Sequence, residues 1–167
     1  MKGYRLVGHE VISSNNEKSL ILSGDILFFK ANDLVGKAIT EITSGDYCHV
    51  AVAFADSTGR LMVLECQGGT PKRVVDLSFY EGRTVAIVGT VKAWGTLRDK
   101  AVQGLGAAGY DYIEAGLAGF GALVARETNW RLETHASGHI CSTFIAQLFG
   151  VTDEVIAPAE LFELLLS

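Results

Sequence analysis

The sequence predicts an α+β domain built on a central antiparallel sheet of about five strands. Three observations carry this. The 167 residues are 49% hydrophobic and 20% charged, enough apolar material for one sizeable core and too little charge for a disordered or fibrous chain. The first half contains short, Val-rich apolar runs separated by Gly, Asp and Ser clusters, whereas the second half spaces its apolar residues for helices. No repeat, low-complexity tract or linker interrupts the chain, which reads as one domain over residues 1–167, with residues 1–22 as an N-terminal extension.

Asp25 to Lys30 forms the first expected strand, and Asn32 or Asp33 can cap a helix over Leu34–Thr43 that sets Leu34, Ala38 and Ile42 on one face. Ser44-Gly45-Asp46 ends that helix. Two strands follow around an Asp56-Ser57-Thr58-Gly59 turn, then strands at Lys72–Leu77 and Arg83–Lys92 around Glu81-Gly82. Thr96 can cap a helix carrying Leu97, Ala101, Leu105 and Ala108, which Gly109 terminates. Glycines at 116, 119 and 121 weaken any helix in residues 110–137, which read instead as a substrate-facing flap. Pro158 opens a last helix through Leu165.

Chemistry enters with Cys141, which stands just ahead of an apolar helical stretch in Gly138-His139-Ile140-Cys141-Ser142-Thr143-Phe144. A helix N-terminus facing an imidazole lowers a thiol's pKa and makes it a nucleophile at neutral pH. The best-placed imidazole is His49, on the strand Tyr47-Cys48-His49-Val50. Side chains alternate along a strand and opposed residues of an antiparallel pair are neighbours, so Ala55 pairing near Gly59 brings His49 opposite Glu65, on the same face. Glu65 is then the group that orients the imidazole. That face continues through Ala51, Ala53 and Ala55, small residues that leave room for the Cys141 helix, while Val50, Val52 and Phe54 point into the core. By the same alternation Cys48 and Cys66 face away from His49 and Glu65 and read as core fillers. Tyr47, His139 and Ser142 are secondary candidates for contacting the oxyanion or substrate.

The order His, acidic residue, Cys resembles the circularly permuted papain-like hydrolases of the NlpC superfamily, the YiiX-like group in particular. The likeness is carried by Gly24-Asp25-Ile26-Leu27-Phe28-Phe29, Tyr47-Cys48-His49-Val50, His139-Ile140-Cys141-Ser142, a Gly-Tyr-Asp-Tyr segment at Gly109 to Tyr112 and a closing Pro158-Ala159-Glu160-Leu161. Ordinary members place the cysteine before the histidine; the reversed order is what points to permutation. Cys48 stands where a serine often precedes the histidine. The resemblance implies a permuted papain-like fold with a Cys-His-Glu triad of Cys141, His49 and Glu65. It also implies a cysteine peptidase or amidase without a cofactor, acting on peptidoglycan-type peptide amides in a bacterial or phage setting. Hydrolysis of a lipid or fatty-acyl amide or ester by the same chemistry is the alternative, and a catalytically silent binding or assembly module is the competing reading.

Other functions fit the sequence less well. A net charge of −5 without a basic cluster disfavours nucleic acid. No apolar run is long enough to span a bilayer, and the polar N-terminal region lacks the profile of a secretory signal, so the expected setting is cytoplasmic or phage-associated. Three cysteines then read as thiols and not as a disulfide framework. Cys48, His49, Cys66, His139 and Cys141 include zinc-ligand types, but their strand phase and the missing C-x-x-C or H-E-x-x-H spacing disfavour a metal. The glycine-rich stretches lack the lysine ending of a phosphate loop.

Overall fold

The computed structural model describes residues 3–13, 19–66, 72–102, 141–152 and 156–167. In chain order the elements are β1 (Tyr4–Val11), β2 (Ile26–Lys30), α1 (Leu34–Thr43), β3 (Tyr47–Ala55), β4 (Leu61–Glu65), β5 (Arg73–Asp76), a 3-10 turn (Leu77–Tyr80), β6 (Thr84–Thr90), α2 (Trp94–Val102), α3 (Cys141–Phe149) and α4 (Pro158–Leu166). The fold is α+β, with an open, wholly antiparallel sheet of six strands in the order β1-β6-β2-β3-β4-β5. No helix among the described residues is long and apolar enough to cross a membrane.

Two apolar layers sandwich the sheet. Phe28, Val50, Val52, Leu64, Cys66 and Val88 point to one side, where Phe144, Ile145, Phe149, Leu161 and Leu165 of α3 and α4 cover them. Leu27, Phe29, Ala51, Ala53, Val63 and Ile87 point to the other, covered by Ile12 and Ile21 and by Leu77 and Tyr80 of the 3-10 turn. Burial on both faces explains why β2 reads Ile-Leu-Phe-Phe without alternation.

Local chemistry sets the ends of the elements. Asp33 Oδ1 accepts from Gly36 N at 2.7 Å and caps α1. Gly36 is buried, and a Cβ there would lie 3.1 Å from Cys48 Sγ, so glycine lets α1 lie close to β3. The face expected to bury α1 through Leu34 and Ala38 is instead turned outward, with Leu34 85% exposed, because the helix makes its approach through Gly36. The hairpin loop is held by Asp56 Oδ1, which accepts from Thr58 N at 2.8 Å and Arg60 N at 3.0 Å, while Gly59 takes φ +84°. The Glu160 carboxylate accepts from Ala157 N at 2.9 Å ahead of Pro158 and starts α4.

Three expectations need correction. The segment taken as an N-terminal extension contains β1, a sixth strand paired to β6 from Tyr4↔Thr90 to Val11↔Thr84. A bulge between Leu6 and Gly8 breaks its alternation, and an edge strand shows too little burial to produce a clear pattern. The α2 helix starts at Trp94, where the indole stacks on Phe54 at 4.8 Å, so Thr96 lies inside the first turn and donates to Ala93 O. The α3 helix docks on the Val50/Val52 side, not on the alanine side: its Phe144, Ile145 and Phe149 join Phe28, Val52 and Leu64, and the alanines lie in the layer of Leu77 and Tyr80.

Candidate active site

His49 and Glu65 are brought together by the β3–β4 hairpin. The expected register paired Ala55 near Gly59; the observed one pairs Ala55 with Leu61 and Val52 with Leu64. Continuing it sets Glu65 beside Ala51, two residues along from His49. The displacement keeps both side chains on one face, and two residues is the diagonal reach that a long side chain spans. His49 Nε2 and Glu65 Oε2 lie 2.8 Å apart. Glu65 has none of its side chain exposed and His49 only 12%.

The thiol comes from the opposite side of the sheet. Cys141, the first residue of α3, is 5% exposed and packs in the layer of Val50 and Cys66. It reaches His49 because β3 changes character at that point. Lys30 pairs with Tyr47 while Phe29 pairs with His49, which leaves Cys48 as an extra residue in a bulge. A bulge re-aims its neighbours, and here it puts Tyr47 in the same layer as Val50. Ala53 exchanges hydrogen bonds with Asp25 and Gly24 on the β2 side, so the Val50 N–H points toward β4, beyond the last β3–β4 pair, Val52↔Leu64. That N–H bonds the Cys141 sulfur, as does the Ser142 N–H at the helix start, and the His49 ring bonds the same sulfur. With Nε2 on Glu65, the ring nitrogen left for the thiol is Nδ1.

The electrostatics follow from these contacts. Burial pushes the Cys141 thiol up, but the His49 charge, the bond between them and the two N–H groups hold it below its ordinary range. Burial likewise opposes charge on His49, yet the Cys141 thiolate and then Glu65 raise it to about 9. Glu65 is desolvated, but bonds from His49, Tyr80 and Arg73 keep its carboxyl below the usual range. Burial pushes both other thiols up, Cys66 to about 11 with the nearby Cys141 adding to the rise. Of the three cysteines, Cys141 is the one poised as a thiolate.

The remaining candidates divide clearly. Ser142 is fully buried and its hydroxyl donates to Ile156 O, tying the start of α3 to the approach to α4; its backbone, not its side chain, faces the sulfur. Tyr47 packs on Phe162 and its hydroxyl lies 3.3 Å from His9 Nε2, on β1. Cys66 is buried and lies in the layer away from Glu65, which it shares with Cys141 because α3 docks on that side, whereas Cys48, buried in the bulge, meets Phe29 O at 3.5 Å and Arg83 Nη2 at 3.8 Å. His139, the Gly109–Tyr112 segment and the flap at residues 110–137 lie outside the described residues. Among the described residues, no three of His, Cys, Asp and Glu gather as a metal site requires.

Two contributors escaped the sequence reading. Arg73 donates to Glu65 Oε1 from Nε at 2.9 Å and from Nη2 at 2.8 Å, and the Tyr80 hydroxyl donates to Oε2. Arg73 was within reach, since it pairs directly with Glu65 across β4 and β5 and opposite charges favour such pairs. Tyr80 sits in a 3-10 turn, where no periodicity marks which way a ring points. No protein-family model matches the chain, and no curated protein matches it in sequence.

Proposed function

We propose that the chain is a cysteine hydrolase of the permuted papain-like kind, cleaving an amide bond through a thioester held on Cys141. The observation that carries the reading is the continuous chain of contacts from the Cys141 sulfur through the His49 ring to a fully buried, ionised Glu65. A buried carboxylate aimed at an imidazole, itself aimed at a thiol on a helix N-terminus, is the arrangement that activates a nucleophile.

The thiolate attacks the carbonyl carbon, and the oxyanion is received by N–H groups at the start of α3, where the helix dipole favours negative charge. The His49 imidazolium gives its proton to the departing amine, leaving an acyl thioester and a neutral ring. His49 then takes a proton from water, hydroxide adds to the thioester, and the acid leaves with the thiolate and imidazolium restored. Glu65 holds the ring through Nε2 and stabilises its charge in both halves of the cycle.

The resemblance to NlpC-type enzymes favours peptidoglycan-type peptides as substrates. Incubating the chain with peptidoglycan fragments and with fatty-acyl amides side by side, followed by mass spectrometry, tests this. The expected result is water added across an amide of the peptide fragments, absent with Cys141→Ala. Cleavage of the acyl amides alone would move the substrate class, and product from Cys141→Ala would overturn the mechanism.

A further inference from the structure

Glu65 divides its two oxygens among three donors. Oε1 receives the Arg73 fork, and Oε2 receives both His49 Nε2 and the Tyr80 hydroxyl. Replacing a buried ionic cluster with apolar groups is often neutral for stability, so packing alone gives little reason for this arrangement. Its geometry gives another. Every bond ends on the carboxylate that holds the ring nitrogen turned away from the sulfur.

Tyr80 is fixed in place independently of that bond. It is 3% exposed, its ring lies 4.4 Å from Phe29 and 6.2 Å from His49, and Phe79 meets it edge-on at 5.3 Å. Burial and the neighbouring Glu65 push its ionisation far up, so the hydroxyl keeps its proton and donates it to Glu65 Oε2. Arg73 anchors the other oxygen, its guanidinium also lying 5.2 Å over the Phe79 ring.

We propose that Tyr80 is a positioning residue that tunes Cys141 at second hand: by sharing Glu65 Oε2 with His49, it limits how much of the carboxylate's charge reaches the imidazolium. This rests on the reading of Cys141 and His49 as nucleophile and base. The groups facing the relay are His49 from β3, Arg73 from β5, Tyr80 from the 3-10 turn and Cys141 from α3; Arg83 acts on Tyr80, and Cys48, Cys66 and Lys72 border the sulfur's side. Withdrawing the Tyr80 hydrogen bond leaves more charge on Oε2, strengthens its hold on the imidazolium and stabilises the ion pair with the thiolate.

The test is the rate of Cys141 alkylation by iodoacetamide across a pH series, read by mass spectrometry of the Cys141 peptide in the full-length chain. Tyr80→Phe keeps the ring that packs and deletes only the donor. Its labelling midpoint is expected to fall by about half a pH unit, the share carried by one hydrogen bond of ordinary strength. Ser78→Ala, in the same turn but exposed and bonded to Asp76 instead of Glu65, is expected to leave the midpoint where it is. A Tyr80→Phe midpoint that is unchanged or higher overturns the inference, as does an equal shift in Ser78→Ala. These results are separable from a failure of the site itself: wild-type labelling confined to the ordinary thiol range would sink the nucleophile reading and the inference with it, whereas early wild-type labelling with no response to Tyr80→Phe would sink the inference alone.

Discussion

The two faces of the sheet are covered by different materials and contribute different halves of the site. On one, α3 and α4 lay an apolar layer of Phe, Ile and Leu over Val50, Val52 and Leu64, and deliver the sulfur at a helix start. On the other, a 3-10 turn closes over alanines and brings a tyrosine and an arginine to a carboxylate with no exposed surface. The comparison teaches a division of labour. The helical face opposes charge on the Cys141 thiol by burying it, and the His49 ring with the Val50 and Ser142 N–H groups offsets this at the helix start. The turn face can hold an ionised carboxylate because it supplies donors. His49 is the residue through which the two communicate, at the bulged end of β3.

Cutting that communication gives the largest expected effect. Cys141→Ala and His49→Ala should each lower hydrolysis by about a thousandfold or more while the melting transition persists, since members of a nucleophile unit act together. Product analysis with a paired thermal melt checks this, and an active Cys141→Ala chain would remove the nucleophile. Glu65→Gln removes the charge of the turn face while keeping a hydrogen bond to His49. Turnover should fall by about a hundredfold, the scale at which an orienting partner acts, and Cys141 labelling should begin at higher pH. If both are unchanged, the site is a Cys-His dyad.

Ala51→Leu probes the turn face by volume alone. The added side chain enters the fully buried layer of Leu77 and Tyr80, so stability should fall by about 1–3 kcal/mol in urea denaturation. The Cys141 labelling profile should move with it, because Tyr80 is displaced from Glu65. Loss of stability with an untouched profile would show that the turn is only a cover.

The smallest effect is in the pH dependence of stability. His49 is raised from 6.5 to about 9, and Cys141 lies below its ordinary 9.0. Above about 6.5, wherever the native Cys141 is ionised, the native thiolate–imidazolium pair and the unfolded chain hold the same number of protons, so the pair's contribution is level. Below about 6.5 the unfolded His49 takes up a proton and the contribution fades as pH falls; lowered Glu65 adds a loss in the same direction at still lower pH. Above about 9 the unfolded thiol and the native imidazolium each give up a proton over the same range, so the contribution stays level there as well. Denaturation from acid to alkali, with thiolate ultraviolet absorbance followed alongside, checks the acid limit and the level range. A slope through the level range, or thiolate absorbance that survives in Cys141→Ala, would count against the pair.

How much was legible in the sequence depended on whether a local period was unbroken. The hairpin could be read because the Asp56–Gly59 turn marks it, and the His49–Glu65 contact outlasts a register error because the two-residue offset preserves the face. The α1 cap at Asp33, its end at Ser44 and the start of α4 at Pro158 were visible because caps are chemical signals confined to a few residues. The docking side of α3 was misjudged, because alternation cannot say which of two apolar faces a distant helix prefers and because the Cys48 bulge interrupts the strand phase near His49. The strand β1 was missed for the related reason that its own bulge erased the period. The donors on Glu65 belong to a pairing and a turn that depend on tertiary arrangement.

Among the described residues, the groups that hold the imidazole lie between Tyr47 and Tyr80, while the sulfur arrives at Cys141. A domain folds as a unit, and one face of the sheet lacks its cover until α3 and α4 are made, so the histidine–carboxylate assembly and the sulfur come together in one event after Cys141 has left the ribosome. A chain truncated before α3 lacks the sulfur altogether.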